Sequence, residues 1–399
     1  MRPIDIAVAG CGPCGLATAL LLARDGHRVT IFERFDAAQP VGSGLMLQPT
    51  GLAVLDRLGL GDAARAKGAA IERLIGRAGA NGPVVLDVRY AAMRRPVSGI
   101  GIHRASLFGL LHDAVLEARI VIETGRQVVG SALVADGKRR LDFADGTSVG
   151  PFDLVVDTLG ARSVLAAPTG RDLPYGALWA SLDWVDGAGF DGAALEQRYR
   201  AARQMTGVMP IGTSPNHTMP QAAFFWSLRA NALDAWRNRG LAAWADEVRT
   251  LWPICDVLLD QIGDSDQLTF ARYAHRTLSR PASTGLIHMG DAWHSTSPQL
   301  GQGANMALLD AWALAQGLRS SGSVGEALAW TVHLRSDHIN LYQNLSYWLT
   351  PVYQSDGNVV PFLRDRLVAP LSKIPPIPHV LAMLVSGLVG APLGRLDLA

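Results

Sequence analysis

The sequence predicts an α/β fold in which a Rossmann-like domain is combined with a second, mostly antiparallel sheet. The apolar run Ile6–Ala9 is typical of a strand buried on both faces, and a G-x-G-x-x-G turn and an apolar helix follow it. From about residue 175 to 269, tryptophans and strand-like segments alternate with Ala- and Leu-rich helical stretches. These two patterns indicate a nucleotide-binding layer and a separate sheet with helices packed against it.

The glycine turn, Gly10-Cys11-Gly12-Pro13-Cys14-Gly15, has the spacing of a dinucleotide site. Gly10 permits the tight turn, Gly12 lets the backbone approach a pyrophosphate, and Gly15 lets helix pack on strand. The helix N-terminus adds free N–H groups and a partial positive charge. Glu33 ends the next strand, 18 residues after Gly15, where an acid can hydrogen-bond an adenosine ribose. A plain packing corner would explain Gly15 but not Glu33, so we predict a dinucleotide of unspecified kind.

Composition narrows the class of protein. The chain has 399 residues, a net charge of +1, 18% charged and 49% apolar residues, which indicates a globular protein and argues against a nucleic-acid surface. The N-terminal residues lead directly into a strand, and no window reaches the roughly 18 apolar residues of a membrane span. We therefore expect a cytoplasmic protein with no nucleic-acid partner.

The cysteines do not form a disulfide framework, because Cys11, Cys14 and Cys255 are an odd number. Cys11 and Cys14 have the C-x-x-C spacing of a redox or metal pair. They also lie inside the glycine turn, where small size is what matters. We favour the second interpretation and predict no metal site.

A second glycine-rich stretch, Gly290–Asn305, lies between a buried strand and a long helix. Pro298, Gly301 and Gly303 at that place imply close approach of the backbone to a ligand at a second helix N-terminus. Asp291, at the end of the strand, is placed to hold a polyol hydroxyl. The alternative is an ordinary loop with a polar helix cap.

Together, the two glycine-rich stretches resemble those of the flavin-dependent monooxygenases of the para-hydroxybenzoate hydroxylase type, which include ubiquinone-pathway, salicylate and kynurenine hydroxylases. The resemblance covers roughly residues 1–350 and implies an FAD-binding domain of the glutathione-reductase type with an inserted, mostly antiparallel substrate domain and C-terminal helices. The implied boundaries are 1–72, 98–172 and 270–350 for the FAD-binding domain, 73–97 and 173–269 for the substrate domain, and 351–399 for an apolar helical tail.

The resemblance also assigns contacts to FAD. Arg104 matches an arginine that contacts the flavin cofactor, Asp291 the aspartate that binds the ribityl chain, and Val128 the position where backbone groups meet the adenine. The cofactor-binding residues implied in this way are Gly10, Gly12, Pro13, Cys14, Gly15, Glu33, Arg34, Arg104, Val128, Gly160, Asp291, Pro298, Gly301, Gly303, Ala304 and Asn305.

A third motif of the family is degenerate in this chain. Its usual form ends a strand as Gly-Ala-Asp-Gly, followed by a serine and an arginine, whereas the matching run here is Asp157-Thr158-Leu159-Gly160-Ala161-Arg162-Ser163. Leu159 stands in the place of the aspartate, and Ala166 stands near that of the arginine. Because the motif is linked to both flavin pyrophosphate and reduced nicotinamide, direct reduction by NADH or NADPH is left open.

The resemblance implies an FAD-dependent monooxygenase that inserts one oxygen atom of O₂ into an aromatic or other apolar substrate, through a flavin hydroperoxide, with NADH or NADPH as reductant. The alternative is an FAD protein with other chemistry, an oxidase, cyclase or reductase. No catalytic side chain stands out. His294, in the second glycine-rich stretch, is the candidate for proton transfer; the alternative is a loop histidine whose hydrogen bonds are satisfied by the backbone. The candidates for contact with the substrate are Trp226, Tyr273 and Trp293; the alternative is that these aromatic residues belong to the core.

The tail, residues 368–398, is apolar and carries few charges. It is either an amphipathic membrane-surface helix, a lid, an arm against a partner subunit, or a segment that folds back on its own chain. We expect a monomer or a homodimer.

Overall fold

The computed structural model describes residues 2–38, 42–95 and 97–399, so the parts of the predicted domains at Met1, residues 39–41 and Pro96 lie outside the described residues. The strands are β1 Asp5–Ala9, β2 Arg28–Phe32, β3 Gly44–Leu47, β4 Ala69–Ile71, β5 Arg73–Ala78, β6 Val84–Arg89, β7 Gly99–His103, β8 Val121–Glu123, β9 Val128–Leu133, β10 Arg139–Phe143, β11 Ser148–Phe152, β12 Leu154–Asp157, β13 Arg171–Asp183, β14 Ala194–Arg200, β15 Gln204–Pro210, β16 Gln221–Arg229, β17 Thr269–His275, β18 Ala282–Ser283 and β19 Leu286–His288. The helices are α1 Pro13–Arg24, α2 Pro49–Arg57, α3 Gly61–Lys67, α4 Arg104–Glu117, α5 Leu233–Leu251, α6 Asp256–Leu259, α7 Asp291–His294, α8 Gly303–Ser320, α9 Val324–Tyr353, α10 Val359–Leu363, α11 Ala369–Leu371, α12 Ile377–Val385 and α13 Pro392–Arg395.

The described strands form four sheets, of which the six-stranded one carries the glycine turn. Its order is β18-β19-β12-β1-β2-β8, and β1 pairs in parallel with both β12 and β2. Ile6, Ala7 and Val8 of β1 are completely buried, as expected for a parallel strand covered on both faces. The Rossmann-like part of the predicted fold is present.

The second large sheet has seven described strands in the order β17-β13-β16-β15-β14-β5-β6, mostly antiparallel. It joins β5 and β6 to strands about a hundred residues later, as predicted, and its last strand, Thr269–His275, runs past the predicted boundary at 269. Helix α5 covers one face of it. The division of the chain into domains itself stays a prediction.

Trp226 lies on the face of the seven-stranded sheet that α5 covers. It is opposite Leu178 in the β13–β16 ladder, is 1% exposed, and packs edge-on against Trp244 of α5 with ring centroids 6.3 Å apart. The prediction that it contacts the substrate is therefore wrong, because the pleat turns its side chain into the core.

The C-terminal segment folds back on its own chain. Main-chain carbonyls in it accept hydrogen bonds from buried side chains, from Tyr342 Oη to Leu384 O at 2.9 Å and from Trp312 Nε1 to Leu396 O at 2.7 Å. The side chains of Ala382 and Val385 pack into an apolar cluster with residues of β6 and β15. Of the predicted alternatives, these contacts favour the folded-back segment. No helix in the described ranges has the length and apolar character needed to cross a membrane.

Replacing Trp226 with alanine should lower the free energy of unfolding by about 3–5 kcal/mol, because it opens a cavity between the sheet and α5. Urea unfolding followed by circular dichroism measures this loss. Trp348→Ala is the matched control, since that side chain is 71% exposed, and should change stability by less than about 0.5 kcal/mol. Equal losses in the two variants would contradict the core assignment.

Candidate cofactor and substrate site

The glycine turn has one open side and one closed side. Gly10 has φ +109°, a conformation that disfavours any side chain, and a Cβ added to Gly15 would lie 2.1 Å from the carbonyl oxygen of Gly10. At Gly12, in contrast, an added Cβ would meet no atom within 4 Å. Gly15 is therefore needed for packing, whereas the backbone at Gly12 faces free space at the start of α1, as a pyrophosphate requires.

Glu33 holds the glycine turn in place. Its carboxylate accepts hydrogen bonds from the N–H of Cys11 at 3.0 Å and from the N–H of Phe35 at 3.1 Å. An ionised carboxylate accepts about four hydrogen bonds, so two places remain for the ribose hydroxyls that the sequence predicts. The backbone N–H of Arg126 donates to the carbonyl of Glu33 at 2.7 Å. This hydrogen bond brings Val128, at the start of β9, close to the end of β2.

Cys11 and Cys14 are packing residues. Burial raises the pKa of Cys11 to about 12, so its thiol stays protonated and unreactive at neutral pH. The Cys14 thiol donates to the carbonyl of Ala307 on α8 at 3.5 Å. The redox interpretation of the pair has no support in this geometry.

Helices α1 and α8 cross closely, and this crossing brings the two glycine-rich stretches together. A Cβ added to Gly290 would lie 3.2 Å from Cβ of Ala307 and 3.4 Å from Sγ of Cys14. The N-terminus of α8 lies beside Asp291, since a Cβ added to Gly303 would be 3.8 Å from Asp291 Oδ1. The two helix N-termini that the sequence predicts as two ends of one site are thus joined through small residues.

Asp291 is enclosed by protein on one side and open to the cleft on the other. Asp291 is solvent-exposed on one side, but the protein atoms around its carboxyl group exclude water and raise its pKa. The charges of His294 and Arg104 offset part of this rise. Arg104 is itself exposed, and a Cβ added to Gly42 would lie 2.9 Å from its Cδ. An exposed carboxylate and an exposed guanidinium are therefore near enough to interact, and both have hydrogen-bonding capacity for a polar ligand.

The turn before α8 has the geometry that the glycines predict. Pro298 begins a short 3₁₀ turn and is exposed, and Gly301 has φ +61°. Gly303 and Ala304 form the first turn of α8. Sequence reasoning placed the backbone of Asn305 against the ligand but missed its side chain, which accepts from Gln48 N–H at 2.8 Å and donates to Met46 O at 3.1 Å. The amide therefore fixes β3 against the second loop.

His294 is a buried member of a chain of polar side chains, and its predicted role in proton transfer stays a prediction. It is 1% exposed, and its Nε2 lies 2.6 Å from Oδ2 of Asp310, whose Oδ1 accepts from Arg335 Nε at 2.7 Å. Burial opposes ionisation of Asp310, but the charges of His294 and Arg335 outweigh it and lower the pKa. Since Asp310 also accepts from Gly290 N–H at 3.0 Å, this chain supports the residue before Asp291.

The same chain continues to the C-terminal segment. Arg335 Nη1 lies 3.2 Å from Nδ1 of His338, and Nε2 of His338 donates to the carbonyl of Gly387 at 3.0 Å. Burial and the charge of Arg335 lower the pKa of His338 to about 3, so it is neutral at physiological pH. A tail carbonyl is thereby tied to the cofactor loop through buried polar groups.

The face of the seven-stranded sheet opposite α5 carries a group of aromatic side chains that contact one another. Trp179 donates its Nε1–H to the hydroxyl of Tyr273 at 3.0 Å, and its ring centroid is 4.9 Å from that of Phe225. Burial raises the pKa of Tyr273 to about 12, so the phenol is neutral. Tyr273 thus remains a substrate-side candidate, and sequence reasoning missed Trp179 and Phe225.

Trp293 packs under the second loop and does not border the cleft. It is 2% exposed and lies in an apolar cluster with Leu300, Ile339 and Tyr342. As a substrate residue it is a wrong prediction, because the turn of α7 directs the ring towards α9.

A cleft of about 530 Å³ is lined by arginines from four separate parts of the chain. They are Arg34, Arg162, Arg237 and Arg272, with Leu159 among the other lining residues. Gly160, with φ +83°, belongs to the loop that contributes Leu159 and Arg162. A larger cleft of about 820 Å³ lies between β18 and α9 and contains no predicted site residue.

The family described as "FAD binding domain" matches residues 3–134 and 206–328, more than half of the chain. This chain belongs to the FAD binding domain family. The prediction of FAD as the cofactor is confirmed. The open backbone at Gly12, the remaining acceptor places of Glu33 and the polar groups of Asp291 and Arg104 fit that cofactor.

Two curated relatives specify the enzyme class. The 3-amino-4-hydroxybenzoate 2-monooxygenase of Streptomyces cremeus is 27% identical over 344 residues, 78% of each chain. The 6-methylpretetramide 4-monooxygenase of Streptomyces rimosus is 27% identical over 401 residues, 96% of this chain and 92% of the relative. The predicted class, an FAD-dependent monooxygenase, is confirmed.

Solved structures confirm the fold class. Klebsiella pneumoniae HpxO complexed with FAD and uric acid aligns with a TM-score of 0.79 and 19% identity, over 96% of this chain and 97% of that chain. The tetrameric form of 2-methyl-3-hydroxypyridine-5-carboxylic acid oxygenase aligns with a TM-score of 0.78 and 19% identity, over 99% and 98%.

Two substitutions should leave folded protein with little flavin. Gly12→Glu places a carboxylate where the pyrophosphate belongs, at a position where an added Cβ meets no protein atom within 4 Å, and Asp291→Ala removes the acceptor beside α8. The ratio of flavin to protein absorbance in the purified variants measures the loss. Asp113→Ala, an exposed carboxylate on α4, is the control. A full complement of flavin in either variant would contradict its assignment.

Proposed function

We propose that this monooxygenase hydroxylates a largely apolar aromatic compound and that NADPH or NADH reduces its flavin directly. In the overall reaction one oxygen atom of O₂ enters the ring, the other leaves as water, and the nicotinamide and one proton supply the two electrons and two hydrogens. The observation that carries the proposal is the arginine-lined cleft, to which the loop of the third motif contributes Leu159 and Arg162 and to which Arg34, the residue after Glu33, also belongs.

In this proposal the protein binds and orients the cofactor and keeps the site dry. When bound, FAD would supply the redox and oxygen-transfer chemistry. Glu33 and the glycine turn would hold its adenosine and pyrophosphate, Asp291 its ribityl hydroxyls, and the turn before α8 its ring system. Arg104 provides a fixed positive charge on the substrate side.

The arginine cleft supports a nicotinamide nucleotide as the reductant. Guanidinium groups bind phosphate oxygens in pairs, and four of them converge here on a chain whose net charge is only +1. The Asp234 carboxylate lies 3.7 Å from Arg237 and is 93% exposed, so it neutralises little of the Arg237 charge. Because NADPH carries one more phosphate than NADH, we expect NADPH to saturate at the lower concentration.

The sheet face that carries Trp179, Phe225 and Tyr273 supports an aromatic substrate. Aromatic rings pack favourably edge-on or offset against one another, and Trp179 and Tyr273 already satisfy each other's polar groups. Tyr273 is also near enough to Arg104 for that charge to act on its phenol. An apolar aromatic ring is the ligand that this face would bind best.

Anaerobic mixing with NADPH tests the reductant. Arg237→Gln and Arg272→Gln should each raise the half-saturating NADPH concentration for flavin bleaching by about 10-fold or more, since each removes a charge-assisted hydrogen bond. Flavin content should not change. Arg239→Gln on the same helix is the control, because Arg239 pairs with Glu247 and does not line the cleft. No bleaching by either nucleotide in the wild-type holoprotein would overturn the proposal of direct reduction.

Aerobic turnover with a panel of aromatic compounds tests the substrate class. A substrate should stimulate NADPH oxidation and yield one hydroxylated product for each NADPH consumed. Hydrogen peroxide in equal amount to NADPH with every compound would instead indicate an oxidase.

A further inference from the structure

The loop after β12, residues 158–165, lies between two parts of the proposed site. On one side, the Thr158 hydroxyl is 2.9 Å from the carbonyl oxygen of Ala9 and 3.0 Å from that of Gly10, so the loop packs on the glycine turn. On the other side, Leu159 and Arg162 line the arginine cleft. A small displacement of this loop would therefore alter both the pyrophosphate end of the flavin site and the cleft.

A single buried carboxylate organises the loop. Asp157 is completely buried, and its Oδ1 accepts from Leu159 N–H at 3.0 Å while its Oδ2 accepts from the Ser163 hydroxyl at 2.5 Å. The Ser163 oxygen in turn accepts from Leu165 N–H at 3.1 Å. Hydrogen bonds to a buried charge are strong and directional, so the carboxylate fixes the start and the end of the loop together.

His288 holds this carboxylate from the neighbouring strand. Its Nδ1 lies 2.6 Å from Oδ2 of Asp157, and it is 7% exposed. His288 ends β19, three residues before Asp291, and the next N–H along, that of Met289, donates to the carbonyl of Asp157 at 2.9 Å. The pair therefore links the loop to the strand that leads into the second cofactor loop.

We propose that Asp157, held by His288, is a positioning residue that places the loop between the flavin pyrophosphate and the reductant. The carboxylate stands two residues earlier than the aspartate of the usual Gly-Ala-Asp-Gly pattern, at a position where that pattern has glycine. As a result the loop presents apolar Leu159 and cationic Arg162 to the cleft and adds no negative charge to it. The part of this inference that concerns the reductant rests on the proposed function; the part that concerns FAD does not.

Asp157→Asn tests the positioning role, because an amide cannot accept all three hydrogen bonds. We expect about 10- to 100-fold weaker binding of FAD to the apoprotein and a similar rise in the half-saturating NADPH concentration, with a smaller change in the maximal bleaching rate. Asp153→Asn, at the other end of β12, is the matched control; its carboxylate accepts from Asp5 N–H at 2.8 Å and lies far from the loop's hydrogen bonds. The control should bind both ligands as the wild type does.

Ser163→Ala keeps the experiment decisive if Asp157→Asn does not fold, since it removes one donor and leaves the carboxylate. It should shift both affinities in the same direction by a smaller factor. Arg162→Gln should weaken NADPH alone, because it removes one positive charge from the cleft and leaves the hydrogen bonds of Asp157 intact.

Three results separate the possibilities. Wild-type affinity for FAD in Asp157→Asn, or in Ser163→Ala if only that variant folds, would overturn the positioning role. Unchanged NADPH saturation in Arg162→Gln would overturn the claim about the charge of the cleft. Absence of bleaching in the wild type would defeat the proposed reductant, while the FAD titrations would still decide the role of Asp157.

Discussion

The close crossing of α1 and α8 is the constraint on which the rest of the site depends. A Cβ added to Gly290 would lie 3.2 Å from Cβ of Ala307, and the small side chains of Cys14 and Ala307 meet between the helices. The helix N-termini of α1 and α8 are separated by some 290 residues of sequence, and this contact joins them. Each N-terminus offers free N–H groups and a partial positive charge, which is what an elongated, phosphate-bearing cofactor requires.

Two buried carboxylates hold the loops of this site in place. Asp157 accepts hydrogen bonds from the loop after β12, and Asp310 accepts hydrogen bonds from Gly290 N–H, His294 and Arg335. Both are completely buried, so each needs its hydrogen-bond partners to offset the loss of contact with water. The loops around the cofactor are thus fixed by polar contacts that do not themselves face the ligand.

The sequence was sufficient to predict the parts of the site that are local. A glycine turn between a strand and a helix has its own spacing, and the same holds for the run from Gly290 to Asn305. Trp226 was placed wrongly because β16 is buried on both faces from Gln221 to Ser227. Such a strand shows no alternation of apolar and polar residues, so the direction of each side chain is visible only in its register with β13.

The arginine cleft and the Asp310 network could not be predicted for a different reason. Arg34, Arg162, Arg237 and Arg272 come from four elements, and no spacing in the sequence relates them. His294 and Arg335 are separated by 41 residues, and both contact Asp310 because α8 and α9 pack side by side. Contacts of this kind follow from tertiary packing and leave no local pattern.

A crystal structure of the FAD complex tests the central claim most directly, that one cofactor lies across the crossing of α1 and α8. The pyrophosphate should lie at the backbone of Gly12, with the ribose at Glu33 and the ribityl chain at Asp291. A pyrophosphate away from the start of α1, or a ribityl chain with no contact to Asp291, would contradict it.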